Sequence, residues 1–142
     1  MDNAGEELTS AQERDRAARI RVELMESTSR HESERAQKLV DQFVLDAKSA
    51  NLPAVELRAR TLDGHVVKTG TTGWYIRNDH SVAIGTDGKY YQLTVPGGFW
   101  SWFTGVELTP SLPLLTVGWG GKDGETGDLK DFLGRALRSE VS

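Results

Sequence analysis

From Val55 onward the apolar residues fall on every second position. Val55, Leu57 and Ala59 alternate with Glu56, Arg58 and Arg60, a period that buries one face of a β-strand and leaves the other in water. Asp63-Gly64 then marks a hairpin turn, since both residues tolerate positive φ, and Val66-Val67 opens the return strand. After a Gly70–Gly73 loop come Trp74–Arg77, Val82–Gly85 and Tyr90–Val95. These runs are separated by Asn78-Asp79-His80-Ser81 and Thr86-Asp87-Gly88-Lys89, both rich in turn residues. The spacing predicts a three-stranded antiparallel meander closed by Pro96-Gly97-Gly98. Val106–Leu108 forms a further short strand candidate. Leu114–Val117 is apolar enough for a central one.

The alternation is flanked by helical periods. Ala36, Leu39, Val40, Phe43, Val44 and Ala47 recur at helical spacing, while Arg35, Gln37, Lys38, Asp41, Gln42 and Lys48 fall elsewhere. Ser29-Arg30-His31-Glu32 offers a capping box for this helix. At its end Asn51 suits the left-handed stop position, Leu52 folds back on the last turn and Pro53 prevents continuation. Near the C-terminus, Asp128 is a plausible N-cap for a stripe of Leu129, Phe132, Leu133, Ala136 and Leu137. Strands gathered between helices predict an α+β domain: an antiparallel sheet of about five strands packed with an N-terminal and a C-terminal helix.

Composition shifts near Ala36. Before it the chain is dense in Glu and Arg; after it come every Trp, Tyr and Phe and all four prolines. This divides the chain into a charged arm, residues 1–34, and a single α+β domain, residues 35–142. The arm still carries helix signals, with Ser10-Ala11-Gln12-Glu13 fitting a capping box. Leu8, Ala11, Ala18, Val22 and Met25 follow steps of three and four. Asp15 interrupts this seam, and Ser29 and Glu32 occupy its next positions before Ala36, Leu39 and Phe43 resume it. Two readings stay open for the arm, a broken coiled-coil seam and a solvated, fraying helix, because isolated helices are marginal in water.

Of the 142 residues, 37% are hydrophobic and none is cysteine, which removes disulfides, thiolate nucleophiles and cysteine metal sites. A net charge of -4 and a pI near 5.4 disfavour a nucleic-acid binder. The acidic residues after Met1 do not resemble a secretory signal, and Phe99–Phe103 is far too short to span a membrane. A cytoplasmic location is the simplest expectation.

Sites of known chemistry are poorly matched. The Gly118–Gly124 stretch lies between a strand and a helix, where phosphate loops occur, but Lys122 is followed by Asp123 rather than Ser or Thr. Asp123, Glu125 and Asp128 would repel phosphate, and they lack the EF-hand spacing for calcium. His31, His65 and His80 show no ligand spacing, and zinc needs three or four convergent donors. There is no Gly-x-Ser-x-Gly elbow, and Asp79 and Asp87 occupy turns. No catalytic residue, metal or cofactor is expected. Phe99, Trp100, Trp102 and Phe103 form the most unusual segment, either an inner strand or the anchor of a partner contact. Trp74 and Trp119 fit structural roles. Arg58, Arg60 and Lys68 are a basic set on the first hairpin, although Glu56 shares their face.

Thr72-Gly73-Trp74-Tyr75-Ile76, Ser81–Gly88 and Val95-Pro96-Gly97-Gly98 resemble segments of small uncharacterised proteins of high-GC actinobacteria, over roughly residues 38–137. The resemblance carries no activity and implies a cytoplasmic home. The leading expectation is a non-enzymatic interaction or regulatory module that meets a protein partner or itself through the arm or the aromatic segment. Its alternatives are a small-molecule-binding protein or minor enzyme with a pocket near Gly118–Gly127, and an RNA-contacting sheet using Arg58 and Arg60.

Overall fold

The computed structural model describes residues 9–96, 105–117 and 127–141. One helix, α1, runs without interruption over Ser10–Ser49. Its 40 residues make a rod of about 60 Å. The start lies one residue earlier than expected. Thr9 is the N-cap: its hydroxyl accepts from the Gln12 amide at 3.1 Å, and the Gln12 side chain accepts from the Thr9 amide at 2.9 Å. The second box is not a boundary, because α1 continues through Ser29, and the Glu32 carboxylate instead accepts from the Leu115 amide at 3.2 Å. The end of the helix follows its signals. Asn51 takes φ 54, and the Leu52 amide donates to Ala47 at 2.9 Å.

The sheet contains β1 (Val55–Thr61), β2 (Val66–Tyr75), β3 (Val82–Gly85), β4 (Tyr90–Gln92) and β5 (Thr94–Val95), in the order β4-β3-β2-β1-β5. The architecture is α+β, but the sheet is mixed rather than purely antiparallel, since β5 runs parallel to β1 through Arg60↔Thr94 and Thr61↔Val95. The expected strand Tyr90–Val95 is thus shared between the two ends of the sheet. Leu93 makes the switch: its amide donates to Ser81 at 2.8 Å, and its carbonyl accepts from the Arg60 amide at 2.7 Å. The sheet therefore coils until its first and last strands are linked through one residue.

Gly70–Gly73 is not a loop. It belongs to β2, where the register against β1 shifts between Glu56 and Arg58, and Gly70 sits at φ 69. Three residues of β2 there oppose the single Leu57 of β1, and such an insertion with a positive φ bends a strand without ending it. Gly73 serves close packing. A β-carbon there would stand 2.8 Å from the Gly85 α-carbon and closer still to the Ile84 carbonyl oxygen.

Alternation along the strands supplies two cores. Trp74, Ile76, Val82, Ile84 and Tyr90 pack against Val40 and Phe43 of α1 and against Leu129, Phe132 and Leu133 of the closing helix α2 (Leu129–Leu137). Phe43 and Trp74 meet edge to face at 5.6 Å. The opposite face gathers Leu57, Ala83, Tyr91 and Leu93. Leu114–Val117 does not supply a central strand. Only Thr116–Val117 is extended, as β6, and it pairs with β7 (Gly127–Asp128) in a separate two-stranded sheet. Val106–Leu108 forms no strand, although the Val106 amide donates to Lys68 at 2.9 Å. Asp128 stands at the N-cap of α2 without a side-chain capping bond.

Candidate functional site

Two surfaces stand apart from the packed body. The first is the N-terminal half of α1. The face of the helix that is buried through Ser33, Ala36, Val40, Phe43 and Ala47 continues toward the N-terminus through Ser29, Met25, Val22 and Ala18, where no element of the described residues covers it. Val22 is 52% exposed and Met25 69%, while Ile20 and Leu24, on another side of the helix, are 49% and 63% exposed. A shallow depression passes over Val22, Met25, Glu26, Ser29 and Arg30. Charge divides along the same stretch. Arg14, Arg16, Arg19 and Arg21 dominate its first part, and Glu23, Glu26, Glu32 and Glu34 dominate the second.

The second surface is a cleft of about 340 Å³ at the joint between β1, β5 and the β2–β3 turn. Arg58 and Arg60 of β1 form one wall, and His80 and Ser81 of the turn lie across from them, with Tyr75 between. The Tyr75 ring stacks on His80, with centroids 3.9 Å apart and planes 9° from parallel. The Tyr75 hydroxyl oxygen accepts from the Arg58 amide at 2.9 Å. The turn itself is held from inside. Arg77 is only 1% exposed, and its Nε lies 3.6 Å from the Asp79 carboxylate. That carboxylate also accepts from the Ser81 amide at 3.0 Å and from its hydroxyl at 2.6 Å. Burying an arginine is costly unless a countercharge accompanies it, so this pair fixes the turn that forms one side of the cleft.

Of the described residues singled out in the sequence, Arg58, Arg60, Asp79 and His80 meet at the cleft, whereas His31 and His65 stand apart from it. Phe99, Trp100, Trp102 and Phe103 lie outside the described residues, as do Trp119 and residues 118–126 of the glycine-rich loop; Gly127 opens β7. Trp74 is buried, and its indole donates to the Leu52 carbonyl at 3.0 Å. His31 lies within α1, 3.9 Å from Glu34, and not at a helix start. His65 faces Asp63 at 3.7 Å in the hairpin. The Asp63 carboxyl is held below its usual range, chiefly by the Thr61 hydroxyl that donates to it. Among the described residues, no group of three or more His, Asp or Glu side chains is arranged to hold a metal ion. No described helix is long and apolar enough to cross a membrane.

Asp87 completes the β3–β4 turn by accepting from the Lys89 amide at 3.0 Å and from the Tyr91 hydroxyl at 2.6 Å. Burial first, and then this carboxylate, push the Tyr91 phenol up to about 12. Burial also raises Tyr90, opposed by the charge of Arg77. These phenols are locked into packing and turn formation, not poised for proton transfer near neutrality.

The cleft was not legible in the sequence. Its walls come from β1 and from a turn more than fifteen residues downstream, brought together only by coiling of the sheet. The available signal was Arg58 and Arg60 on one face of a strand. No protein-family model matches the chain, no curated protein matches it, and no solved structure matches its fold.

Proposed function

We propose that this protein is a non-enzymatic interaction module in which the projecting half of α1 meets a second copy of the chain. The observation that supports this reading is the continuation of the helix's body-facing stripe into water at Val22 and Met25. A helix of this length gains its stability mainly from packing an apolar face. The charge pattern selects the orientation. A parallel pair would set arginines against arginines and glutamates against glutamates, whereas an antiparallel pair lays the basic stretch along the acidic one. Centred on a layer of Val22 against Met25, the antiparallel arrangement brings Arg19 of each copy beside Glu26 of the other.

The body covers α1 from Ser33 onward, so the seam is confined to about Ala18–Ser29, or roughly 18 Å of helix. A seam this short supports a weak, concentration-dependent dimer. Light scattering of the full chain across a dilution series tests it. Arg19→Glu and Glu26→Arg should each shift the protein to monomer, because like charges then face one another. The doubly exchanged variant should restore the dimer. A wild-type chain that remains monomeric at high concentration removes the reading.

A further inference from the structure

We propose that the edge of β1 left open among the described residues accepts an extended acidic peptide as an added strand, seated in the cleft beside Arg58 and Arg60. This surface is separate from the helical seam and does not depend on it. On the side of β1 away from β2, β5 covers only Arg60 and Thr61. The Arg60 amide points to that side, donating to Leu93 at 2.7 Å. Amides along a strand alternate sides, so those of Arg58 and Glu56 point the same way. Where a neighbouring strand would accept from Arg58, a side chain stands in its place: the Tyr75 hydroxyl, at 2.9 Å. The edge amide is thereby satisfied without a strand, by a hydroxyl whose place as acceptor a backbone carbonyl can take. Unpaired strand edges are templates for adding extended segments.

Chemistry chooses the segment. Arg58 and Arg60 are exposed, lie two residues apart on one strand face and make no ion pair among the described residues. The Asp79 carboxylate across the cleft is engaged by Arg77 and Ser81 through one oxygen, and Glu56 is the acidic neighbour on the same strand face, so the two arginines outnumber it there. Successive side chains on one face of a strand are two residues apart. A peptide whose backbone pairs with β1 ahead of Arg60, where β5 begins, can set an acidic side chain beside Arg58, with the Arg60 guanidinium on the same face two residues on.

The test titrates the isotopically labelled full-length protein with a hexapeptide alternating glutamate and valine, followed by amide resonances. Saturable shifts at Glu56, Arg58 and Arg60 are expected, with exchange protection of the Arg58 amide. Arg58→Glu combined with Arg60→Glu should weaken binding by about tenfold or more, a change of at least one decade in Kd. Both residues are exposed, so the fold should survive. Tyr75→Phe, which removes the stand-in acceptor, should bind at least as tightly as wild type. Met25→Asp, which addresses the helical seam, should leave peptide binding unchanged. Equal binding of a peptide N-methylated at alternate backbone positions would overturn strand addition in favour of a charge patch. Binding of an octauridylate in place of the peptide would transfer the cleft to RNA, and absence of saturable shifts would remove the proposal.

Discussion

The two halves of α1 have similar helix-forming grammar and opposite surroundings. Between Ser33 and Ala47 the helix presents Ala36, Val40, Phe43 and Val44 to the sheet and α2, and all four are buried. Between Ser10 and Glu26 every residue is exposed, although the same stripe continues through Ala18, Val22 and Met25. The difference shows that burial and not helical propensity separates the halves. The body-facing half is secured by tertiary packing, while the projecting half has its Thr9–Gln12 cap and a stripe that invites a partner.

The largest test of this contrast compares truncations on the two halves. Phe43→Ala should cost about 3–5 kcal/mol in denaturant unfolding, because it opens a cavity against Trp74. Met25→Ala should remain within about 0.5 kcal/mol when measured at concentrations where the chain is monomeric. A large loss at Met25 under those conditions would place an intramolecular contact on the projecting half and erase the distinction.

A smaller effect is expected inside the sheet that supports the body-facing half. Gly73→Ala should destabilise the chain by about 1–3 kcal/mol, since the new methyl meets the backbone at Ile84 and Gly85. Denaturant midpoints compare this variant directly with wild type. Wild-type stability here would indicate a looser β2–β3 contact than the structure shows.

Alkaline pH offers a subtler separation. The Tyr91 phenol is raised to about 12 in the folded chain, whereas an unfolded tyrosine titrates near 10. A raised folded value means that the native state holds this proton more tightly. Its contribution is complete below about pH 10 and is lost as pH rises through about 12. Ultraviolet titration should therefore show a late-ionising tyrosine that disappears in Tyr91→Phe. The variant should also lose less stability than wild type between those pH values. The circular-dichroism signal of the projecting half should follow neither change.

Local rules carried much of this architecture. The helix stop at Asn51-Leu52-Pro53, the Asp63-Gly64 and Asp87-Gly88 turns and the alternation of Trp74-Tyr75-Ile76 between two cores all follow from short-range grammar. The failures have equally specific causes. Thr9 and Gln12 form the reciprocal cap one residue ahead of the equally matched Ser10 and Glu13, a choice that residue type alone does not make. Ser29 fits a capping box, but the helix simply runs on. Two closely spaced glycines read as a loop, whereas Gly70 bends β2 and Gly73 admits a neighbouring backbone. The parallel joint at Leu93 is a consequence of sheet coiling, which has no signature in a six-residue apolar run. The buried Arg77 was hidden for the same reason: its countercharge is local, but its burial is tertiary.

The projecting half of α1 should become covered when two molecules meet. Amide hydrogen exchange of the full chain, recorded at low and high protein concentration, addresses it residue by residue. Protection over Ala18–Ser29 should rise with concentration, while Ser33–Ala47 stays protected throughout. Rapid exchange over Ala18–Ser29 at every concentration would contradict the account.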